Sequence, residues 1–197
     1  MLRIVHLSDL HLTDNDGAET NKNAWTIARR LFEAYAHPPA ETIVIVTGDC
    51  IDNGTEAERQ RLIDWLAYLR QFFFVLIVPG NHDYATFGNV FVPDSVEPFR
   101  KIARVDRFPY VHQVFGYPVT IMLLDSADPE DKEWFAEGVI GSLQLEALDR
   151  SLHATVKGGR IAIVCLHHHP FCRDLGMAIA KALPAKEYET RLCREKV

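Results

Sequence analysis

Short apolar, β-branched runs recur along this 197-residue sequence, and each is followed at once by side chains of the kinds that ligate metal ions. Ser8-Asp9-Leu10-His11 follows the first run, Gly48-Asp49-Cys50-Ile51-Asp52 the second, Gly80-Asn81-His82-Asp83 the third and His167-His168-His169-Pro170 the last. A mixed set of carboxylate, amide and imidazole donors suits Zn, Mn or Fe better than it suits calcium, which takes oxygen cages, or structural zinc, which takes thiolates. Asp9-x-His11 alone is weak, since an Asp two residues before a His is equally at home capping a loop. Gly80-Asn81-His82-Asp83 is the sharpest signal, because glycine permits an unusual backbone turn and three polar residues follow it at a strand end. Recurrence of such clusters after every strand-like run is what a loop-capping explanation does not account for.

Positioning these residues requires a sheet. The runs at Leu2 to Leu7, Thr42 to Thr47, Phe73 to Val78 and Arg160 to Leu166 read as buried strands. Between the first three, Asn21 to Ala36 carries Trp25, Ala28, Phe32 and Tyr35 at helical spacing, and Glu56 to Arg70 carries Leu62, Trp65, Leu66 and Leu69. The resulting βαβαβ order predicts an α/β sheet with right-handed crossovers and helices packed outside. In such sheets ligands bind where loops converge at the carboxyl ends of the strands, which is where the four clusters fall. Residues 84–109, with prolines at 93, 98 and 109, read as loop with one helical turn near Val96 to Arg104. Tyr110 to Asp125, broken by Gly116-Tyr117-Pro118, reads as a hairpin, and Ser142 as the N-cap of a helix bearing Leu145, Leu148 and Leu152.

Composition narrows the function classes. With 48% hydrophobic residues and no repeat or low-complexity tract, the chain is expected to form one domain over 1–197. A net charge of −6 argues against a nucleic-acid partner, so any phosphate is to be held locally, as a divalent ion would hold it. Cys50, Cys165, Cys172 and Cys193 form no CxxC pair, which fits thiols in a reducing, cytoplasmic setting. No signal-peptide pattern and no apolar run long enough to span a membrane is present, so no membrane association is expected.

The ordered motifs D-x-H, G-D-x-x-D, G-N-H-[DE] and the histidine run resemble those of the calcineurin-like metallophosphoesterases, and the similarity spans essentially the whole chain. Gly141 to Leu152, with Gln144-Leu145, is similar to the helix preceding the fourth motif in the cyclic-nucleotide phosphodiesterase branch. This resemblance implies a β-sandwich of mixed sheets flanked by helices. It also implies two divalent metal ions, Mn, Fe or Zn, and hydrolysis of a small phosphodiester or phosphomonoester by metal-activated water, with no covalent intermediate. Asp9 and His11 would bind the first metal, Asp49 would bridge both, and Asn81 and His168 would bind the second. His168 is chosen because it stands two before Pro170; His167 is the next candidate, and His167 and His169 otherwise shape the site. His82 would stabilise or protonate the leaving oxygen, with Asp83 fixing its tautomer, while Asp52 would orient a loop or a histidine.

One departure from the family pattern stands out. Its fifth motif, G-H-x-H, has no counterpart after Pro170, and no histidine follows His169. The resemblance therefore implies a fold lacking its closing strands, weak binding of both metals, poor hydrolysis and an uncovered sheet edge that favours self-association. A fragment of a longer protein and a divergent member are both open. So are three function classes: a phosphoesterase for small substrates, favoured by the acidic surface; a nuclease, disfavoured by the lack of a basic track; and a scaffold that has kept the fold and lost the reaction.

Overall fold

The computed structural model describes residues 1–36, 42–86, 90–127 and 138–168. His169 and the 171–197 tail, on which the expectations about closing strands and self-association rest, lie outside the described residues. The chain runs β1 (Arg3–Leu7), α1 (Glu19–Tyr35), β2 (Thr42–Thr47), α2 (Glu56–Leu69), β3 (Phe74–Val78) and a short α3 (Asn81–Tyr84). A two-stranded ladder of β4 (Ala85–Thr86) and β5 (Val90–Phe91) follows, then a 3-10 turn (Pro93–Ser95) and α4 (Val96–Ala103). The second half is β6 (Tyr110–Gln113), β7 (Val119–Leu123), α5 (Ser142–Lys157) and β8 (Ile161–Cys165). No helix among the described residues is long and apolar enough to cross a membrane.

Two three-stranded sheets result. β1, β2 and β3 pair in parallel in that order, with Leu7 opposite Val46 and Thr47 opposite Val78. This register brings the three loops that carry the candidate ligands out side by side at the carboxyl ends. In the other sheet β6 pairs antiparallel with β7, the expected hairpin, and β7 pairs in parallel with β8 so that Leu123 faces Cys165. The segments after β7 and β8 therefore also leave the sheet together. One core joins both sheets and the helices, which is the mixed-sheet α/β architecture anticipated from the motifs.

Burial explains the local choices. All six residues of β2 and all five of β7 are buried, as expected of central strands covered on both faces. In α2 the expected face of Leu62, Trp65, Leu66 and Leu69 is fully buried, and the indole N–H of Trp65 donates to the Ala24 carbonyl of α1 at 2.9 Å. α2 begins with a capping box: Thr55 accepts from the Glu58 N–H, and the Glu58 carboxylate accepts from the Thr55 N–H. The helix read near Val96 to Arg104 is α4. The Ser142 expectation is corrected by one residue: α5 starts at Ser142, its N-cap is Gly141, and no side chain caps it. Gly141 supplies the extended backbone geometry of a cap position without a side-chain oxygen.

Truncating Leu66 to alanine removes a side chain with no exposed surface. The expected loss is roughly 2 to 5 kcal/mol, read as a lower urea midpoint at unchanged m-value.

Candidate metal centre

The loops after β1 and β2 are zipped together by their backbones. Asp9 N donates to Gly48 O at 3.1 Å, His11 N to Asp49 O at 3.0 Å and Leu12 N to Cys50 O at 3.0 Å, and Asp52 N returns to Leu12 O at 3.1 Å. Within this zipper Asp9, His11 and Asp49 all take left-handed backbone angles, with φ of 54°, 43° and 50°. Each such residue costs on the order of 1 to 2 kcal/mol relative to the right-handed basin. Asp and His tolerate that region better than bulkier residues, and strain of this kind concentrates where side chains must be aimed. Gly48 and Gly80 are required by close approach: a Cβ on Gly48 would collide with the His167 ring, and one on Gly80 with the Asp49 carboxylate.

The loop after β3 is fastened by Asp83. Its buried carboxylate accepts from Gly80 N at 2.8 Å, Cys50 N at 3.0 Å and Ile51 N at 3.2 Å. Burial lifts its pKa to about 7 against the pull of those donors, and the charge of Asp49 adds to the rise. The tautomer-fixing contact expected of Asp83 falls instead to Asp52, because Asp83 is committed to backbone N–H groups.

Three histidines then share one geometry. His11 points Nδ1 at Asp52 Oδ1 (3.2 Å) and Nε2 at Asp49 Oδ2 (3.7 Å). His167 points Nδ1 at the Thr47 carbonyl (2.8 Å) and Nε2 at Asp49 Oδ2 (3.4 Å). His82 points Nδ1 at the Asp52 carbonyl (2.6 Å), its ring lies 4.7 Å from that of His11, and its backbone N–H donates to Asp49 Oδ1 at 3.1 Å. An oxygen acceptor at Nδ1 fixes the proton there and leaves the Nε2 lone pair for a ligand, the usual arrangement of metal-binding histidines. Ligand atoms of His11, Asp49 and His82 lie within 4.8 Å of one another, as do those of Asp9, Asp49 and His167. These two donor sets, sharing Asp49, fit divalent ions.

Of the other sequence-selected residues, Asn81 is buried at the start of α3, beside His82. His168 is held on Ser126: its Nδ1 lies 2.9 Å from Ser126 Oγ, which also accepts from the His168 N–H at 3.2 Å, and its ring lies 4.9 Å from that of His167. The histidine that the fold brings to the Asp9–Asp49 pair is thus His167. Sequence reasoning did not find the support behind these side chains. Tyr84 Oη donates to Asp125 Oδ2 at 2.7 Å, and Gln144 clamps the Asp125 backbone with bonds of 3.0 and 2.8 Å. No spacing rule links residues 84, 125 and 144, and only the resemblance of the α5 segment drew attention to Gln144.

Electrostatics tie His167 to Asp49. For Asp49, burial would raise the carboxyl pKa, but the hydrogen bond and charge of His167, with the His82 N–H, bring it below its ordinary value. Burial likewise opposes protonation of His167, yet the hydrogen bond and charge of Asp49 lift it to about 9. Without metal the two form an ion pair. Its contribution to stability is full between the ordinary values of 3.8 and 6.5; it fades as pH falls through the lowered Asp49 pKa, or rises through about 9.

The family model of the calcineurin-like phosphoesterases matches residues 2–192, so the chain belongs to that family, whose members are dimetal phosphoesterases. The sequence is 32% identical over 94 residues to a probable cyclic nucleotide phosphodiesterase of Coxiella burnetii, covering 48% of this chain and 37% of the relative. It is 34% identical over 86 residues to a probable glycerophosphodiester phosphodiesterase of Arcobacter nitrofigilis, covering 42% of this chain and 30% of the relative. The matched stretches thus span only about a third of each relative's length.

A protonated His167 must give up its Nε2 proton to ligate an ion. Binding of Zn²⁺ or Mn²⁺ should therefore release about one proton per chain, and affinity should rise about tenfold per pH unit until it levels near pH 9. Calorimetry in buffers of different ionisation enthalpy reads this directly. His167→Ala should abolish that proton release.

Proposed function

We propose that this chain is a metal-dependent phosphodiesterase acting on a small phosphodiester, of the cyclic-nucleotide or glycerophosphodiester kind for which its relatives are named. The observation that carries the reading is Asp49, a buried carboxylate common to two overlapping donor sets at the strand ends. Asp49 is the shared ligand in this proposal, with Asp9 and His167 on one side, His11 on the other and Asn81 as the neighbouring amide donor. Two divalent ions, Mn, Fe or Zn, supply when bound the positive charge that acidifies water and neutralises the phosphoryl oxygens. Asp52 holds the tautomers of His11 and His82, through its carboxylate and its carbonyl respectively.

His82, the third member of the His11–Asp49 set, is assigned to the leaving oxygen rather than to an ion, which leaves that set with His11 and Asp49. Its Nδ1–H is anchored on the Asp52 carbonyl, so in the protonated ring Nε2 carries the transferable proton. Asp83 acts through the backbone, keeping the loops after β2 and β3 in place. His168 braces the segment after β8 against Ser126. A cavity of about 640 Å³ between α5 and residues 107–111 shares no residue with this cluster, so substrate is assigned to the strand ends. Free, buried Cys50 and Cys165 fit a cytoplasmic setting.

The test is hydrolysis of an aryl phosphodiester with added Mn²⁺ or Zn²⁺, abolished by a chelator and by Asp49→Asn. His82→Ala should keep its metal content and lose about 10² to 10⁴ in turnover. His167→Ala should lose metal, whereas His168→Ala should retain it. Metal loss in His82→Ala equal to that in His167→Ala would make His82 a ligand and sink the role given to it here.

A further inference from the structure

At the other end of β3 from the metal-ligating loops lies a cavity of about 210 Å³ with two arginines on its wall, Arg70 at the end of α2 and Arg104 just past α4. Phe74 and Tyr110 form its aromatic sides, and no carboxylate of the described residues lines it. Among the described residues neither guanidinium has an ion-pair partner, in a chain whose overall charge is −6. Arg70 is half-buried, and its side chain's one hydrogen-bond partner among the described residues is the Ile102 carbonyl, 2.9 Å from Nη2. The other N–H groups of its fork have no partner among the described residues. Burial, and secondly the charge of Arg104, bring the Arg70 pKa down to about 10, so the two cations lie close enough to repel.

The backbone holds this pair in place. Arg104 is the C-cap of α4 and sits in the left-handed region, φ 60° and ψ 42°, where glycine or asparagine is the usual occupant. Its N–H is bound back to the Arg100 and Lys101 carbonyls. Phe74 is 46% exposed, with His112 stacked on it at 4.4 Å and 23°.

We propose that this cavity is a second anion site, which takes the phosphate group of a phosphomonoester between Arg70 and Arg104. Two arginines lining one concavity match a phosphate dianion in charge and carry forked donors suited to its oxygens, and binding it offsets their mutual repulsion. Phe74 and Tyr110 offer flat surface for an attached ring, so a nucleoside monophosphate binds more tightly than inorganic phosphate. The site is separate from the strand-end cluster, and its existence does not depend on the reaction proposed above.

The experiment uses the full chain in excess chelator, so that no metal ion recruits phosphate to Asp49. Inorganic phosphate and adenosine 5′-monophosphate are each titrated by calorimetry into the unaltered protein, Arg104→Asn and His11→Ala. Asparagine suits the left-handed backbone, and an unchanged melting temperature certifies that variant as folded. Saturable binding is expected in the unaltered protein, weakened about ten- to hundredfold by Arg104→Asn and unmoved by His11→Ala. Absence of saturable binding, or equal affinity in Arg104→Asn, overturns the proposal. Weakening by His11→Ala also overturns it, by placing the anion at the strand ends. Equal affinities for the two ligands would overturn the part given to Phe74 and Tyr110.

Discussion

The carboxylate of Asp83, 1% exposed, receives N–H groups from both the loop after β2 and the loop after β3. Without it, Gly80, Cys50 and Ile51 would each bring an unanswered donor into a buried space, at roughly 1 to 3 kcal/mol apiece. With it, the turn that carries Asn81 and His82 is locked to the turn that carries Asp49. The loop bearing Asp9 and His11 is in turn laced to the Asp49 loop by backbone bonds. The ligand-type side chains are thus the visible ends of a framework whose joints are main-chain groups. Left-handed angles at Asp9, His11 and Asp49 are tolerable because these joints over-determine the path of the chain.

Much of this was legible from pattern. Strand β2 ends where its β-branched run ends, and the buried face of α2 is the one its spacing marks. α1 shows where pattern falls short. Its apolar spacing marks Trp25, Ala28, Phe32 and Tyr35, yet the buried residues are Asn21, Ala24, Ala28 and Leu31. Asn21 goes inside because its amide binds the Thr13 and Asn15 backbone, a demand set by the preceding loop and invisible in hydropathy. Trp25 and Phe32 stay at the rim, where they meet the rings of Tyr68 and Phe72.

The histidine run shows a second limit. Spacing to Pro170 points to His168, but consecutive residues leaving a strand point to opposite sides. Which of the two turns toward Asp49 depends on the pairing of β8 with β7 and on where Thr47 and Ser126 offer oxygen atoms. That is a tertiary fact, as is the hold of Gln144 on Asp125. Sequence conveyed which chemistry gathers at the strand ends; the sheets decide which nitrogen delivers it.

The contact between His167 and Thr47 spans 120 residues of chain. During synthesis from the N-terminus, Asp9, His11, Asp49 and His82 are in hand well before β8 exists, and the His167 imidazole arrives only after β8 has been made. Closing so long a loop is entropically expensive, and it draws the edge strand of one sheet to the central strand of the other. An ion gripped jointly by Asp49 and His167 would therefore serve as a removable cross-link between the halves of the molecule, much as a disulfide does in an oxidising compartment. Scarcity of that ion in the cell would then be felt first as a looser protein, sensitive to proteases, and only afterwards as a slower one.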